Sequence, residues 1–248
     1  MGALGGDITT MGTNPAGIGI YRSNDVMTSF SYSAYGMESK YEGQKSTIDK
    51  NRWSFDNIGV VFATKIGNQT PLRYVNFGFN YKRSKSFYKN MSMSGMMGVV
   101  ENPDQYDFNV SFNINDRVYL GLTIGAYDVD YDKYSGYDES YKRGEGYSLE
   151  SYNNISGSGF DVKMGLILRP FEYSPFRIGF AVHTPTFYKL TYSTSAIVTN
   201  DYRDAKTDEL KRIIVDTYDY VGDMKRDYRL VTPWKYNVSL GYTVVTSL

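Results

Sequence analysis

The chain has 248 residues, 27 basic and 27 acidic side chains, one histidine and no cysteine. This balance excludes a strongly basic nucleic-acid surface, and the absence of cysteine excludes disulfides and thiolate metal sites. No run of about 18 apolar residues occurs, which excludes a transmembrane helix, whereas 25 tyrosines and 13 phenylalanines favour strands.

The first predicted element is a glycine-rich segment at residues 5–19, GGDITTMGTNPAGIG, which suits neither a helix nor a strand. Asn14, Pro15, Ala16 and Gly17 lie at its centre. Pro15 has no amide donor, and the glycines lower the cost of bends and of positive φ. The segment is therefore either a disordered N-terminus or is enclosed by the strands that follow it. We divide the chain into residues 1–23 and a strand-rich part at 24–248.

From residue 25 onward the main signal is alternation of apolar with polar residues, which predicts strands with one apolar face. The clearest runs lie at 108–114, 118–127, 160–168, 176–183 and 235–244, and weaker runs at 25–36, 53–65, 73–85, 187–198 and 225–233. We predict ten or eleven strands. Many of them have a length that suits a tilted strand crossing a bilayer.

The opposite face of these predicted strands collects glycines together with Asn, Ser and Thr. The glycines are Gly78, Gly121, Gly125, Gly165, Gly179 and Gly241. In a barrel, small residues on the inner face make room for a plug or a ligand path. The alternative is a water-soluble β-sandwich or a lipocalin-like barrel.

The connections alternate between short turns and longer excursions. Short turns are predicted at 115–116 and 172–175, and long loops at 37–51, 86–106, 133–145 and 199–224. This asymmetry is typical of outer-membrane barrels. Within 205–221, Leu210, Ile213 and Ile214 have helical spacing, which predicts a short helix in an outer loop.

An acidic stretch resembles a calcium-binding loop in its spacing. Asp128, Asp130 and Asp132, with Glu139 further on, approach the pattern D-x-D-x-D-G-x5-E, but Lys133 replaces the glycine of the sharp turn. A solvated loop and a weak divalent-cation site are both compatible with this stretch.

Catalytic motifs are missing from the sequence, so we expect no enzyme and no cofactor. His183 is the one histidine, and it lies on the small-residue face as either a hydrogen-bonded lumen residue or a base. Asp161 and Lys163 on the same face could form an ion pair. Arg177 and Lys235 are further inner-face cations that could pair or meet an anionic ligand head.

Four stretches resemble one known family. ALGGD at 3–7 and NPAG at 14–17 resemble the N-terminal hatch of the FadL-like transporters of long-chain fatty acids and aromatic hydrocarbons. RIGFAVHTP at 177–185 and TPWKYNV at 232–238 are similar to later strands of that family, in particular of its Bacteroidetes-type members.

The resemblance implies a 14-stranded antiparallel β-barrel in the bacterial outer membrane, whose N-terminus folds inward as a plug. Residues 1–23 would be the hatch, with Asn14, Pro15, Ala16 and Gly17 on the ligand path. Gly78 would permit a kink in the third strand, beside which ligands leave sideways. The implied activity is passive uptake of hydrophobic compounds by a monomer. Its partners would be outer-membrane lipids and a hydrophobic small molecule, and nucleic acid would not be a partner.

Two features depart from the family pattern, because the strand count is below fourteen and the final residues lack the usual terminal aromatic. We therefore expect a truncated chain without its signal peptide and its last strands. Two other functions stay open at this point. One is a barrel of the same fold that binds a protein partner in secretion, and the other is a soluble lipid-binding β-barrel.

Overall fold

The fold is that of a computed structural model, which describes residues 2–41, 44–83, 91–93, 96–98, 104–222 and 224–242. Within these ranges two 3-10 helices, Ile8–Gly12 and Pro15–Ile20, precede thirteen strands and one α-helix, α1, at Thr217–Val221. The strands are β1 Asp25–Tyr41, β2 Gln44–Lys65, β3 Leu72–Arg83, β4 Met91–Met93, β5 Met96–Gly98, β6 Asp104–Ile114, β7 Val118–Ser140, β8 Gly146–Leu168, β9 Arg177–His183, β10 Phe187–Arg203, β11 Leu210–Asp216, β12 Met224–Val231 and β13 Lys235–Gly241.

Eleven of these strands form one antiparallel sheet with the order β1-β2-β3-β6-β7-β8-β10-β11. β12 pairs with β10, and β9 pairs with both β8 and β13. Among the described strands the sheet is not closed, since β1 forms one edge and β11, β12 and β13 form the other. The predicted all-β antiparallel class with ten or eleven strands is confirmed.

At two adjacent positions in the sheet the chain forms two shorter strands with a break between them, and the two breaks lie side by side. β9 and β10 both pair with β8, and on their other side β13 pairs with β9 and β12 pairs with β10. The breaks fall at Pro185 and Pro233, which have no amide N–H for the ladder. Threonine hydroxyls replace the missing bonds: Thr184 Oγ1 accepts from a backbone N–H of β8 at 3.0 Å, and Thr232 Oγ1 accepts from Thr186 N at 2.8 Å.

The two faces of the sheet have opposite polarity, which we name the polar face and the apolar face. The polar face carries the predicted glycines and a set of buried polar side chains: Asn57, Asn76, Asn80, Asp107, Asn109, Ser111, Asn113, Thr123, Asp161 and Lys163. The apolar face carries exposed large side chains, among them Phe62, Phe77, Phe108, Leu122, Ile124, Phe160, Met164 and Phe180. This arrangement reverses the usual distribution of a water-soluble protein.

Three of the four predicted long loops are largely strands, which corrects the sequence interpretation. The β1–β2 pairing reaches Tyr41 opposite Gln44, and the β7–β8 pairing reaches Ser140 opposite Gly146. Much of the stretch at 199–224 belongs to β10, β11 and α1. These stretches are rich in polar and charged residues, so an apolar pattern does not reveal them. Most of the fourth loop, 86–106, lies outside the described residues.

The predicted helix within 205–221 is wrong for most of its length. Leu210, Ile213 and Ile214 belong to β11, which pairs with β10. Adjacent β-branched residues favour a strand when a neighbouring strand offers a free edge. The helix α1 begins only at Thr217, where the Asp216 side chain accepts a hydrogen bond from Tyr218 N at 2.9 Å.

The hairpin β7–β8 continues well past the apolar residues of its apolar face. On β7 the last of these is Ala126, which pairs with Phe160 on β8. The next residues on the same face of β7 are Asp128, Asp130 and Asp132. We call residues 127–159 and 188–222 the distal region, and the part of the sheet with the apolar face the belt region.

Candidate functional site: the N-terminal segment and the polar cavity

The N-terminal segment, residues 2–24, precedes the first strand and is ordered by its own short-range contacts. Asp7 caps the first 3-10 helix by accepting a hydrogen bond from Thr9 N at 2.8 Å. Asn14 caps the second by accepting one from Ala16 N at 3.1 Å, and Pro15 occupies the first turn, where no N–H is required. The segment, which the sequence predicted to form neither a long helix nor a strand, thus forms two short capped 3-10 helices.

The segment packs on the polar face of the sheet. Asn14, Ala16 and Ile18 are at most 1 % exposed, which argues against a disordered tail. Ile8, Met11 and Ile18 form one apolar cluster with Val61 of β2. A second apolar cluster joins Ala16 to Tyr119 of β7 and Ile167 of β8.

Glycines of four strands provide the space that the segment fills. A Cβ at Gly59 would lie 2.4 Å from Ile8 Cγ2, and one at Gly78 would lie 2.2 Å from Met11 Cε. At Gly121 it would lie 2.2 Å from the carbonyl carbon of Pro15, and at Gly165 2.1 Å from Asn14 Oδ1. Any side chain at these positions would collide with the segment, so the glycines fix where it can lie.

Buried asparagines bind the backbone of the segment. Asn76 Nδ2 donates to the carbonyl oxygens of Ile18 at 2.7 Å and Tyr21 at 2.9 Å. Asn109 Nδ2 donates to the Pro15 carbonyl at 3.3 Å, and Asn14 Nδ2 donates to the Gly2 carbonyl at 2.7 Å. Since turns this short leave carbonyls without partners, side-chain donors take the place of a ladder.

A buried ion cluster lies beside the segment on the same face. Lys163 Nζ is 2.8 Å from Asp107 Oδ1 and 3.1 Å from Asp161 Oδ1, and its side chain is 3 % exposed. Tyr127 donates to Asp161 Oδ2 at 2.7 Å, and Gln105 donates to Asp107 Oδ2 at 2.8 Å. The predicted pair of Asp161 and Lys163 is present, and Asp107 adds a second carboxylate. Each charge has polar partners, as burial requires.

A cavity of about 170 Å³ lies where the segment meets this cluster. Thr9, Gly12 and Thr13 line it from the segment, and Asn80, Gln105, Tyr127, Thr184 and Thr186 are among the residues that line it from the sheet. Its charged lining consists of two carboxylates and three lysines: Asp107, Asp161, Lys82, Lys163 and Lys235. The cavity can hold water or a polar group of a ligand.

The remaining predicted lumen residues also contact the segment or the cavity. His183 Nε2 is 3.1 Å from the Thr13 carbonyl oxygen, so it forms a hydrogen bond with the segment. Arg177 donates to the Leu4 carbonyl at 2.5 Å. Lys235 pairs with His183 across β13 and β9 and lines the cavity. The described residues place no nucleophile in hydrogen-bond contact with His183.

Gly78 has a different role from the predicted kink. Pairing of β3 with β2 and with β6 continues through Gly78, and the register shift lies between Leu72 and Tyr74. Gly78 instead accommodates Met11 of the segment.

The acidic residues of β7 do not converge on one point. Asp128, Asp130 and Asp132 lie on one face of the strand, and Asn154 donates to Asp130 at 3.2 Å and to Asp132 at 2.7 Å. Glu139 lies on the opposite face of the strand. Hydrogen bonds from Tyr137 and Tyr141 lower the pKa of its carboxyl. Across the described ranges no group of three or more His, Cys, Asp or Glu side chains could hold a metal ion.

Sequence reasoning missed Asp107, Asn76 and Asn109. Asn76 and Asn109 alternate with apolar residues within the predicted strands, and Asp107 continues this alternation one residue before the predicted run at 108–114. A list of polar residues at the parity of the glycines would have found them. Their contacts depend on the register between strands and on the path of the segment.

No helix among the described residues is long and apolar enough to cross a membrane. Comparison with known proteins finds no matching family model, no matching curated protein and no matching solved structure.

Proposed function

We propose that the chain is an outer-membrane barrel protein that takes up hydrophobic compounds passively, with the N-terminal segment as its hatch. The class of ligand is that of long-chain fatty acids or aromatic hydrocarbons. This function rests on the resemblance of the NPAG segment and the later strands to the FadL-like family.

The observation that carries the proposal is the reversed polarity of the two faces. The face against the segment is polar and buried, while the opposite face exposes Phe62, Leu122, Ile124 and Phe160. A continuous exposed apolar surface of this kind marks contact with a partner or a membrane. On β7 the apolar residues span nine positions from Val118 to Ala126, within the length that a tilted membrane strand needs.

The contacts of the segment suit an element that a ligand displaces. It is held by two small apolar clusters and a few asparagine hydrogen bonds, without a ladder to the sheet. Such an element is a low-stability part of a fold. Transport would then require movement of the segment and no chemical step.

A barrel requires partners for both edges of the sheet, since lipid cannot satisfy free backbone groups. The proposal therefore requires partners for the free edges at β1 and at β11, β12 and β13.

The test is uptake by liposomes that contain the full-length protein. Labelled oleate should enter these liposomes faster than empty ones, and deletion of residues 2–19 should increase leakage of small polar solutes. Asn14→Ala removes both the cap of the second 3-10 helix and the bond to Gly2, so it should increase leakage to a smaller extent. The control is Tyr173→Ala, because Tyr173 is 98 % exposed in the β8–β9 turn.

A full-length protein that is a stable monomer without detergent would contradict the membrane part of the proposal. A protein that inserts into liposomes but neither binds nor passes oleate would contradict the transport part. That second outcome would favour the protein-binding scaffold.

A further inference from the structure

The distal region contains a groove that is separate from the segment and its cavity. The groove has a volume of about 310 Å³ and lies among β7, β8, β10, α1 and the start of β12. Its lining begins at Asp132, beyond Ala126, the last apolar residue of the apolar face of β7. It therefore lies outside the belt region, on the side where the hairpin extends.

Tyrosine rings supply most of the flat surface of the groove. Tyr134 and Tyr152 are paired across β7 and β8, with ring centroids 4.8 Å apart. Tyr152 is 43 % exposed, and Tyr218, which lines the groove from α1, is 61 % exposed. Tyrosine gives a rigid amphipathic surface that loses little conformational entropy on binding.

Amide, carboxylate and hydroxyl groups lie beside these rings. The Asn154 amide donates to the Asp132 carboxylate at 2.7 Å, which holds both planar groups in a fixed orientation. Both groups keep further acceptor lone pairs that hydroxyl donors can use. Ser193 and Ser195 of β10, which pair with Asn154 and Tyr152 in the sheet register, add hydroxyl groups.

The composition of the lining argues against other ligand classes. Met224 is the one aliphatic side chain among the described lining residues, which does not suit a lipid tail. The two lysines of the lining, Lys133 and Lys225, are balanced by Asp132 and the neighbouring Asp130, which does not suit a polyanion. Exposed rings beside fixed amide and hydroxyl groups match a neutral, flat molecule with many hydroxyl groups.

We propose that this groove binds a neutral oligosaccharide. The C–H faces of the pyranose rings would lie on Tyr152 and Tyr218, and their hydroxyls would bond to Asn154, Asp132 and the β10 serines. This site is independent of the uptake activity, because it shares no lining residue with the cavity beside the segment.

The test is saturation-transfer NMR on the full-length protein in lauryldimethylamine oxide micelles, since maltoside detergents would compete for the groove. The probes are maltohexaose, cellohexaose, mannohexaose and chitohexaose. At least one should receive saturation, and its affinity should fall about tenfold in Tyr152→Ala and in Tyr218→Ala.

Two further variants separate binding from folding. Tyr152→Phe keeps the ring and loses the hydroxyl with its hydrogen bond to Glu150, so it should keep most of the affinity. Tyr173→Ala, at the opposite end of the sheet, should leave binding unchanged. Equal affinities of a bound probe for wild type, Tyr152→Ala and Tyr218→Ala would overturn the proposal.

A neutral oligosaccharide occurs either free in solution or attached to a lipid. The second arm therefore measures binding of the protein to phosphatidylcholine vesicles with and without a neutral glycolipid. Binding to the soluble chains alone assigns the groove to free oligosaccharides, and binding to the glycolipid vesicles alone assigns it to membrane glycans. Either result supports the site, and absence of both overturns it.

Discussion

The strand β7 passes through two regions whose environments differ although its backbone pairing does not. In the belt region its residues alternate between a face buried by the segment and an exposed aliphatic face, as at Thr123 and Ile124. In the distal region the same alternation places tyrosine and charged residues on both faces. Pairing with β8 continues from Val118 to Ser140 without a register shift.

This difference shows that the same backbone pairing is compatible with two different side-chain environments. The belt region depends on an internal partner, the N-terminal segment, and exposes a surface suited to an external apolar partner. The distal region satisfies its side chains by tyrosine pairs and surface ion pairs. Substitutions at matched positions should therefore have very different effects in the two regions.

The largest difference should come from removing a buried cation. Lys163→Met removes the ion-pair partner of the buried Asp107 and Asp161, so it should lower the free energy of unfolding by about 3–5 kcal/mol. Urea unfolding in micelles, followed by tryptophan fluorescence, measures this loss. Arg212→Met in the distal region removes an exposed ion pair with Asp201 and should leave the unfolding midpoint unchanged.

The triple variant Asp107→Asn, Lys163→Met, Asp161→Asn is the matched control for the buried cluster. Because it leaves no charge unpaired, it should recover a large part of the lost stability. A triple variant that is as unstable as Lys163→Met would contradict the electrostatic explanation.

A charge on the apolar face should have the next largest effect if that face contacts lipid. Leu122→Arg should lower stability in liposomes by about 2–4 kcal/mol, because Leu122 lies near the middle of the belt region. Ser156→Arg, on the same face in the distal region, should change it little. Equal stability of Leu122→Arg and wild type in liposomes would argue that this face is not in contact with lipid.

Crowding between the sheet and the segment should have an intermediate effect. In Gly121→Ala the new Cβ would meet the Pro15 backbone, and the expected loss is about 1–3 kcal/mol. The segment should also become more accessible to protease, as judged by cleavage within residues 2–24. In Gly136→Ala in the distal region, the new Cβ meets only the flexible end of Tyr134, at 3.1 Å. The segment of this variant should be as resistant to protease as that of the wild type.

The smallest effect should come from an aromatic pair of the distal region. Tyr147→Ala removes the edge-to-face contact with Tyr137, whose ring centroid is 6.4 Å away, and should cost about 0.5–1.5 kcal/mol. Thermal unfolding monitored by near-ultraviolet circular dichroism measures this change. A loss as large as that of Lys163→Met would contradict the division into two regions.

Much of the belt region was predictable because alternation fixes which side chains share a face. The parity of residues 118–127 and 160–168 put Gly121 and Gly165 with Lys163 and opposite Leu122, as the structure has them. The place of Asp107 was not predictable, because it requires the register Asp107–Gly125–Asp161 across three strands. Gly125 has no side chain, and this allows the carboxylates on either side to reach the same lysine.

The distal region was missed for a different reason. Tyrosine alternating with Ser, Asn and Asp gives little contrast in hydropathy, so paired strands resembled long loops. In β11 the spacing of Leu210, Ile213 and Ile214 fits a helix as well as a strand. The free edge of β10 decides between the two, and that edge is a property of the folded sheet.

The course of the N-terminal segment has a consequence for the order of folding. Ala3 lies against Gly241 of β13, and Gly2 lies against Gly179 of β9 and Ser239 of β13. Residues that precede β1 therefore find some of their contacts only when the last described strands are in the sheet. Loop closure over this distance along the chain is slow. The segment should consequently be the last part to acquire protection from hydrogen exchange during refolding, despite its place at the beginning of the sequence.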